Sequence, residues 1–169
     1  MTTEQDDEFA AFFSAHAEGL RRLGVFLTGD AEQGADLAQE ALVRTYRHWR
    51  RIRGEDPLPY AKRTLVNLVR SAHRRRMVAR AYAERLAPPP PGEPSRASEV
   101  EAWLTVADAL RSLPPQRRAA IVLKFYDDMS EADIARTLDR PVNSIKSDIH
   151  RGLKKLRPLL QATVGGSAL

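Results

Sequence analysis

Residues 130–157 read SEADIARTLDRPVNSIKSDIHRGLKKLR, and this stretch decides the fold class. Ser130 is a residue type that caps helix N-termini, and Asp133 stands three positions on, where a capping box places its acid. Ile134, Ala135 and Leu138 then fall on one side of a short helix. Asp139-Arg140-Pro141 makes a tight turn. Beyond it Ile145, Ile149, Leu153 and Leu156 repeat at helical spacing. A short helix, a turn and a longer basic helix form a helix-turn-helix. Such units lay the second helix in the DNA major groove with its first turn nearest the base edges. The inner face fixed by the isoleucines and leucines leaves Asn143, Ser144, Lys146, Ser147, His150, Arg151, Lys154 and Lys155 facing outward, with Arg140 in the turn beside them. These side chains read bases or hold phosphates. A plain helical hairpin with a solvated basic face is the other reading of the same residues.

Upstream, Val100, Trp103, Leu104, Ala107 and Leu110 form one stripe that ends at Pro114. Pro115 opens a helix carrying Ile121, Val122, Leu123 and Phe125, since proline suits a first turn. Before these lies Pro88-Pro89-Pro90-Pro91-Gly92-Glu93-Pro94-Ser95, which lacks apolar periodicity and favours extended polyproline geometry. It reads as an interdomain linker, or else as a long surface loop within one domain. On the far side Phe9, Phe12, Phe13, His16, Leu20, Leu23 and Leu27 make a first amphipathic helix, broken by Gly29-Asp30. A second helix runs from about Ala31 to Trp49, burying Leu37, Ala38, Ala41, Leu42, Thr45, Tyr46 and Trp49. Gly54 and Pro57 interrupt, and a third spans Pro59 to Arg80 with Leu65, Leu68, Val69 and Ala72 inward. No strand pattern occurs. The fold class is therefore all-α: two small helical domains, 1–87 and 99–169, joined by a Pro-rich linker at 88–98, the second containing the helix-turn-helix.

The chain has 169 residues, 43% of them apolar, enough to bury a core rather than stay disordered. Its 27 Lys and Arg outnumber 22 Asp and Glu, a basic balance that suits nucleic acids or acidic membranes. No cysteine is present, which excludes disulfides, thiol catalysis and cysteine-held metals. No stretch approaches the length of a membrane span. The acidic start, Met1 to Glu8, is unlike a secretory signal. His16, His48, His73 and His150 are isolated, with no metal-binding spacing, and neither a phosphate-cradling glycine loop nor a nucleophile elbow occurs. We therefore expect no catalytic residues, no metal and no cofactor. Gly165-Gly166-Ser167-Ala168-Leu169 reads as a tail with no fused regulatory domain.

Two further clusters stand out. The third helix carries Lys62, Arg63, Arg70, Arg74, Arg75, Arg76 and Arg80 with no acid among them, and Asn67 and His73 interspersed. Such a helix suits a phosphate track, although a solvated charge run has the same composition. On the second helix Asp36, Gln39 and Glu40 share the outer face. An acidic and amide patch on a basic protein suits a protein partner, or is ordinary solvated surface.

Taken in order, these stretches resemble the extracytoplasmic-function sigma factors, the compact two-domain class of bacterial sigma-70 relatives. The resemblance runs from about Phe9 to Leu160. Its motifs are 36–41 (DLAQEA) with Arg44, Tyr46 and Arg47; 53–55 (RGE); Tyr60 to Asn67 and the basic run after it; 113–118 (LPPQRR); 129–135 (MSEADIA); 141–147 (PVNSIKS); and Arg151 with 155–157 (KLR). It implies a cytoplasmic protein that binds core RNA polymerase and promoter DNA, with an anti-sigma factor as a further partner and no membrane insertion. It implies that Asp36, Gln39, Glu40 and Arg44 meet the polymerase clamp helices. It implies that Arg53, Gly54, Glu55, Tyr60, Arg63 and Asn67, with Arg70, Arg74 and Arg75 of the basic run, serve the minus-ten element. The last helix is implied to read the minus-thirty-five element, and the second domain to meet the polymerase flap. Four positions depart from the family pattern. Tyr60 replaces a frequent Trp, the loop between Arg53 and Pro59 is about one residue short, Asn143-Ser144 replaces Gly-Thr, and Asp148 replaces Arg. A carboxylate at 148 facing the groove would be repelled by phosphate but could accept a hydrogen bond from cytosine N4.

Two other functions fit part of the sequence. A plain helix-turn-helix regulator accounts for the second domain but not for the basic third helix or the 36–40 patch. A helical enzyme or adaptor would lack salt-sensitive DNA binding.

Overall fold

The computed structural model describes residues 3–82 and 98–165, with side chains described for 3–82 and 105–161. Among the described residues there are eight helices and no strand: α1 (Thr3–Thr28), α2 (Ala31–Arg47), α3 (Trp49–Ile52), α4 (Pro57–Tyr82), α5 (Ser98–Arg111), α6 (Pro115–Phe125), α7 (Glu131–Leu138) and α8 (Val142–Gly165). The linker at 88–98 lies outside the described residues except for Ser98, which begins α5. The side chains of Val100, Trp103 and Leu104 also lie outside them.

Helices α1, α2 and α4 pack around Leu20, Leu23, Leu27, Ala41, Leu42, Ala61, Leu65 and Val66, all buried. The α1–α2 crossing is close because both sides are glycine. A Cβ added at Gly24 would come within 2.4 Å of the Gly34 carbonyl oxygen, and one at Gly34 within 2.4 Å of the Val25 nitrogen. Gly29 ends α1 at φ +69, a left-handed conformation that glycine adopts without a Cβ penalty. Asp30 then caps α2 by accepting from the Gln33 N–H at 2.9 Å.

The structure changes the sequence reading in three places here. Helix α1 begins at Thr3 rather than at Phe9. Its acidic first turns are tied down, since the Tyr46 hydroxyl donates to Asp6 at 2.7 Å and Glu8 accepts from the Trp49 indole at 3.3 Å. Phe13 belongs to the periodic stripe but is 47% exposed, because the rings of Phe9 and Phe12 already cover Trp49. Trp49 does not end α2. His48 leaves helical geometry at φ −102, ψ 4, and Trp49 starts the single turn α3 with its ring buried.

In the second group, α6, α7 and α8 bury Ala120, Leu123, Ile134, Leu138, Ile145 and Leu156, while Ala107, Leu110 and Leu113 close one side. Gly152 lets α8 lie against α6, where an added Cβ would meet Ile121 at 2.9 Å. A buried apolar cluster continues from the first group into the second.

Candidate nucleic-acid interface

The turn before α8 is built from local chemistry. The Ser130 hydroxyl oxygen accepts from the Asp133 N–H at 3.1 Å and its O–H donates to the Asp133 carboxylate at 2.6 Å. The Ser130 hydroxyl, and after it the Arg136 guanidinium, donate to the Asp133 carboxylate and hold it below its ordinary range. Helix α7 ends at Asp139, which takes left-handed angles (φ 52, ψ 54) that aspartate tolerates better than most residues. The Arg140 N–H returns to the Ala135 carbonyl at 2.9 Å, satisfying the helix end.

On α8 the buried Ile145, Ile149 and Leu156 set the inner face, with Leu153 packed beside them. Asn143, Lys146, Ser147, His150, Arg151, Lys154 and Lys155 are exposed and Ser144 is half-buried. Asp148 does not face the groove, contrary to the sequence expectation. Its side chain is 14% exposed and its carboxylate is held by Arg140 at 2.6 Å and Arg117 at 3.5 Å. Helical spacing puts 148 beside the inner face formed by 145 and 149, so its charge is neutralised within the protein. Arg140 is thereby committed to an internal ion pair. The Lys155 ammonium is committed too, donating to the Ser112 carbonyl at 2.7 Å, whereas Lys154 is on the outer face.

On α4 the residues at 60, 63, 67, 70 and 74 follow three- and four-residue steps and so share one face. Arg63, Asn67, Arg70 and Arg74 are exposed, and Tyr60 is half-buried with its ring 5.8 Å from that of His48. Arg75 is exposed but lies about 100° further round the helix. Arg53, Gly54 and Glu55 form an exposed loop after α3. Arg53 is anchored there by Glu8, 3.2 Å away, a contact with no local sequence signal.

The outer face of α2 carries Asp36, Gln39, Glu40 and Arg44, with Arg44 and Glu40 paired at 2.7 Å. Val43 sits among them and is 40% exposed. Sequence reading missed it, although its seven-residue step from Asp36 places it on the same face.

Between the two helical groups lies one buried cation. Arg118, 7% exposed, donates to five main-chain carbonyls. Three lie at or just past the end of α5: Leu110 at 2.9 Å, Leu113 at 3.0 Å and Arg111 at 3.3 Å. Two belong to the end of α1: Thr28 at 2.5 Å and Leu27 at 3.4 Å. Carbonyls at helix C-termini lack intrahelical partners and sit at the negative end of the helix dipole, so they suit a cation. Burial, and then repulsion from Arg111, push the guanidinium below its ordinary pKa.

Two stripes of exposed cations lie on an all-α scaffold, one on α4 and one on the second helix of a helix-turn-helix. Residues 12–78 match Sigma-70 region 2 and residues 103–156 match Sigma-70, region 4. The chain is 32% identical over 158 residues to the ECF RNA polymerase sigma factor SigL of Mycobacterium tuberculosis, covering 89% of this chain and 88% of that protein. It is 30% identical over 156 residues to the RNA polymerase sigma-E factor of Streptomyces coelicolor, covering 92% and 87%. Its fold is similar to that of the sigma factor RpoE in complex with the anti-sigma factor NepR from Bartonella quintana (TM-score 0.70, 21% identity, 90% of this chain and 96% of that one). It is similar also to CnrH in complex with the cytosolic domain of CnrY (TM-score 0.60, 21% identity, 91% and 88%). The chain belongs to the sigma-70 family, in its extracytoplasmic-function class, and is a transcription initiation factor that directs RNA polymerase to promoters rather than an enzyme. No helix among the described residues is long and apolar enough to cross a membrane.

Proposed function

We propose that the work of initiation is divided among three helices. The outer face of α2, Asp36, Gln39, Glu40 and Arg44 around the exposed Val43, binds core polymerase. The stripe of α4, with the 53–55 loop, takes the minus-ten element, and the first turns of α8 read the minus-thirty-five element. The division of the chain into 1–87, a linker at 88–98 and 99–169 belongs to the same reading. Its chief support is that α8 presents Asn143, Lys146, Ser147, His150 and Arg151 outward while its inner face is fixed by buried residues. Arg140 and Lys155 keep a lesser part in DNA binding, because each already serves a partner inside the protein.

An anti-sigma factor as partner is proposed by analogy with RpoE and CnrH. The apolar groove between α1, α5, α6 and α8, lined by Phe26, Val106, Phe125, Tyr126, Leu153 and Leu160, is a surface that could take one. The cytoplasm is the proposed compartment, since core polymerase works there. In vitro transcription with core polymerase and genomic DNA tests the reading. Discrete start sites absent with core alone support it, and none appearing would overturn it. Reversing the charges of Asp36 and Glu40 together should cut core affinity with thermal stability near wild type. Unchanged co-purification with core would remove α2 from the scheme.

A further inference from the structure

We propose that Glu8, near the start of α1, is a positioning residue for the minus-ten element: its carboxylate holds both ends of the single turn α3 and so aims Arg53, at the head of the 53–55 loop. This role rests on the assignment of that loop to the minus-ten element above.

The first turns of α1, residues 3–8, contain no apolar side chain, yet they are helical and lie against the end of α2. Asp6 accepts from the Tyr46 hydroxyl at 2.7 Å, and the Phe9 and Tyr46 rings are 4.8 Å apart. Glu8 is thereby brought to α3. Its Oε2 accepts from the Trp49 indole at 3.3 Å and from Arg53 Nη1 at 3.2 Å, and its Oε1 lies 3.3 Å from the same nitrogen. Trp49 begins α3 and Arg53 caps its end. A helix of four residues is too short to persist by itself, so what grips its ends sets its course. The Trp49 end is gripped also by the rings of Phe9 and Phe12, 5.1 and 5.2 Å away. The Arg53 end is different. Among the described residues, Glu8 makes the one ion pair to the 53–55 loop.

Charge decides what the pair can do. An unpaired carboxylate beside DNA would repel phosphate, but this one is matched to a guanidinium at 3.2 Å. Arg53, neutralised in turn, adds little salt-dependent affinity. A guanidinium has five N–H donors, and Glu8 engages only Nη1. The donors of Nε and Nη2 are left for a base edge, in a plane that the carboxylate holds. A base drawn out of the stack is read by hydrogen bonds to its edge, and such a contact must be held to within about 0.5 Å. Glu8 therefore serves selectivity more than grip.

Holoenzyme carrying Glu8→Ala should open the cognate promoter about tenfold more slowly, and its preference at one position of a randomised minus-ten element should fall about fivefold. Affinity for an isolated minus-thirty-five duplex should stay within about twofold, since α8 is untouched. Glu8→Gln keeps an acceptor without the charge and should lie between Glu8→Ala and the unaltered chain. In an Arg53→Ala background, Glu8→Ala should change opening and preference by less than about twofold, because it acts through Arg53. Additive losses, or an equal loss at every minus-ten sequence, would overturn the role of Glu8. In the free protein, backbone amide order parameters across 53–55 should drop in Glu8→Ala from about 0.85 to below about 0.6. Unchanged order would overturn it as well. A defect with Arg53→Ala but none with Glu8→Ala would overturn the role of Glu8 alone. No defect with Arg53→Ala would instead remove the loop from the minus-ten element, and the role of Glu8 with it.

Discussion

Helices α8 and α4 both present cations along one face, yet they are built differently. Helix α8 is fixed at every approach. A capped helix precedes it, a left-handed Asp139 turns into it, Asp148 clamps Arg140 and Arg117 beside its first turns, and Gly152 seats it against α6. Helix α4 is packed only through its first half, by Ala61, Leu65, Val66 and Leu68. Its second half, from Arg74 to Tyr82, is exposed, including Met77, Val78 and Tyr82. The difference matches two kinds of task. Reading base edges in a groove requires side chains held at fixed distances, because hydrogen bonds weaken steeply with misplacement. Following a backbone and holding an unstacked base requires reach, charge and one specific pocket.

The comparison breaks most visibly if the platform under α8 is loosened. Ile134 is fully buried between α7 and its neighbours. Ile134→Ala should cost about 2–5 kcal/mol in urea unfolding and abolish upstream duplex binding under mild denaturant. A loss below about 1 kcal/mol with binding intact would mean that α8 does not depend on its scaffold. Next come the side chains proposed to read bases. Lys146→Ala or Arg151→Ala should cost roughly 1–3 kcal/mol and relax preference at one position of a randomised upstream element. A uniform loss across all sequences would make α8 an electrostatic clamp like α4.

The third effect concerns α4 alone. If Asn67, proposed to serve the minus-ten element, holds a base taken out of the stack there, Asn67→Ala should slow open-complex formation by about tenfold while leaving duplex affinity within about twofold, since extracting a base costs a few kcal/mol. Unaltered permanganate reactivity of the melted region would remove Asn67 from that step. The smallest effect separates two adjacent lysines. Lys154→Ala should lower the slope of log affinity against log salt by about one. Lys155→Ala should lower it less, because that ammonium already donates to the Ser112 carbonyl at 2.7 Å. Equal slopes would show that the internal bond yields to phosphate.

The sequence by itself determined the long helices, though not the break at His48 before α3, and the cap at Ser130, the turn at 139–141 and the outward face of α8. Each depends on residues within one or two turns of one another, so periodicity and capping chemistry suffice. It also showed the acidic and basic stripes, since a helix places side chains by spacing alone. What it could not show depends on residues far apart in the chain. Asp148 looked like a groove carboxylate until the fold brought Arg117 to it from 31 positions away. Gly24 and Gly34 gave no sign of the close crossing they permit, because an absent side chain leaves no pattern to read. Arg118 stood in the sequence only as the last residue of the 113–118 motif. Only the tertiary structure placed it under the end of α1, bonded to a carbonyl 91 positions away. A helix terminus needs a cation without specifying which part of the chain will bring it.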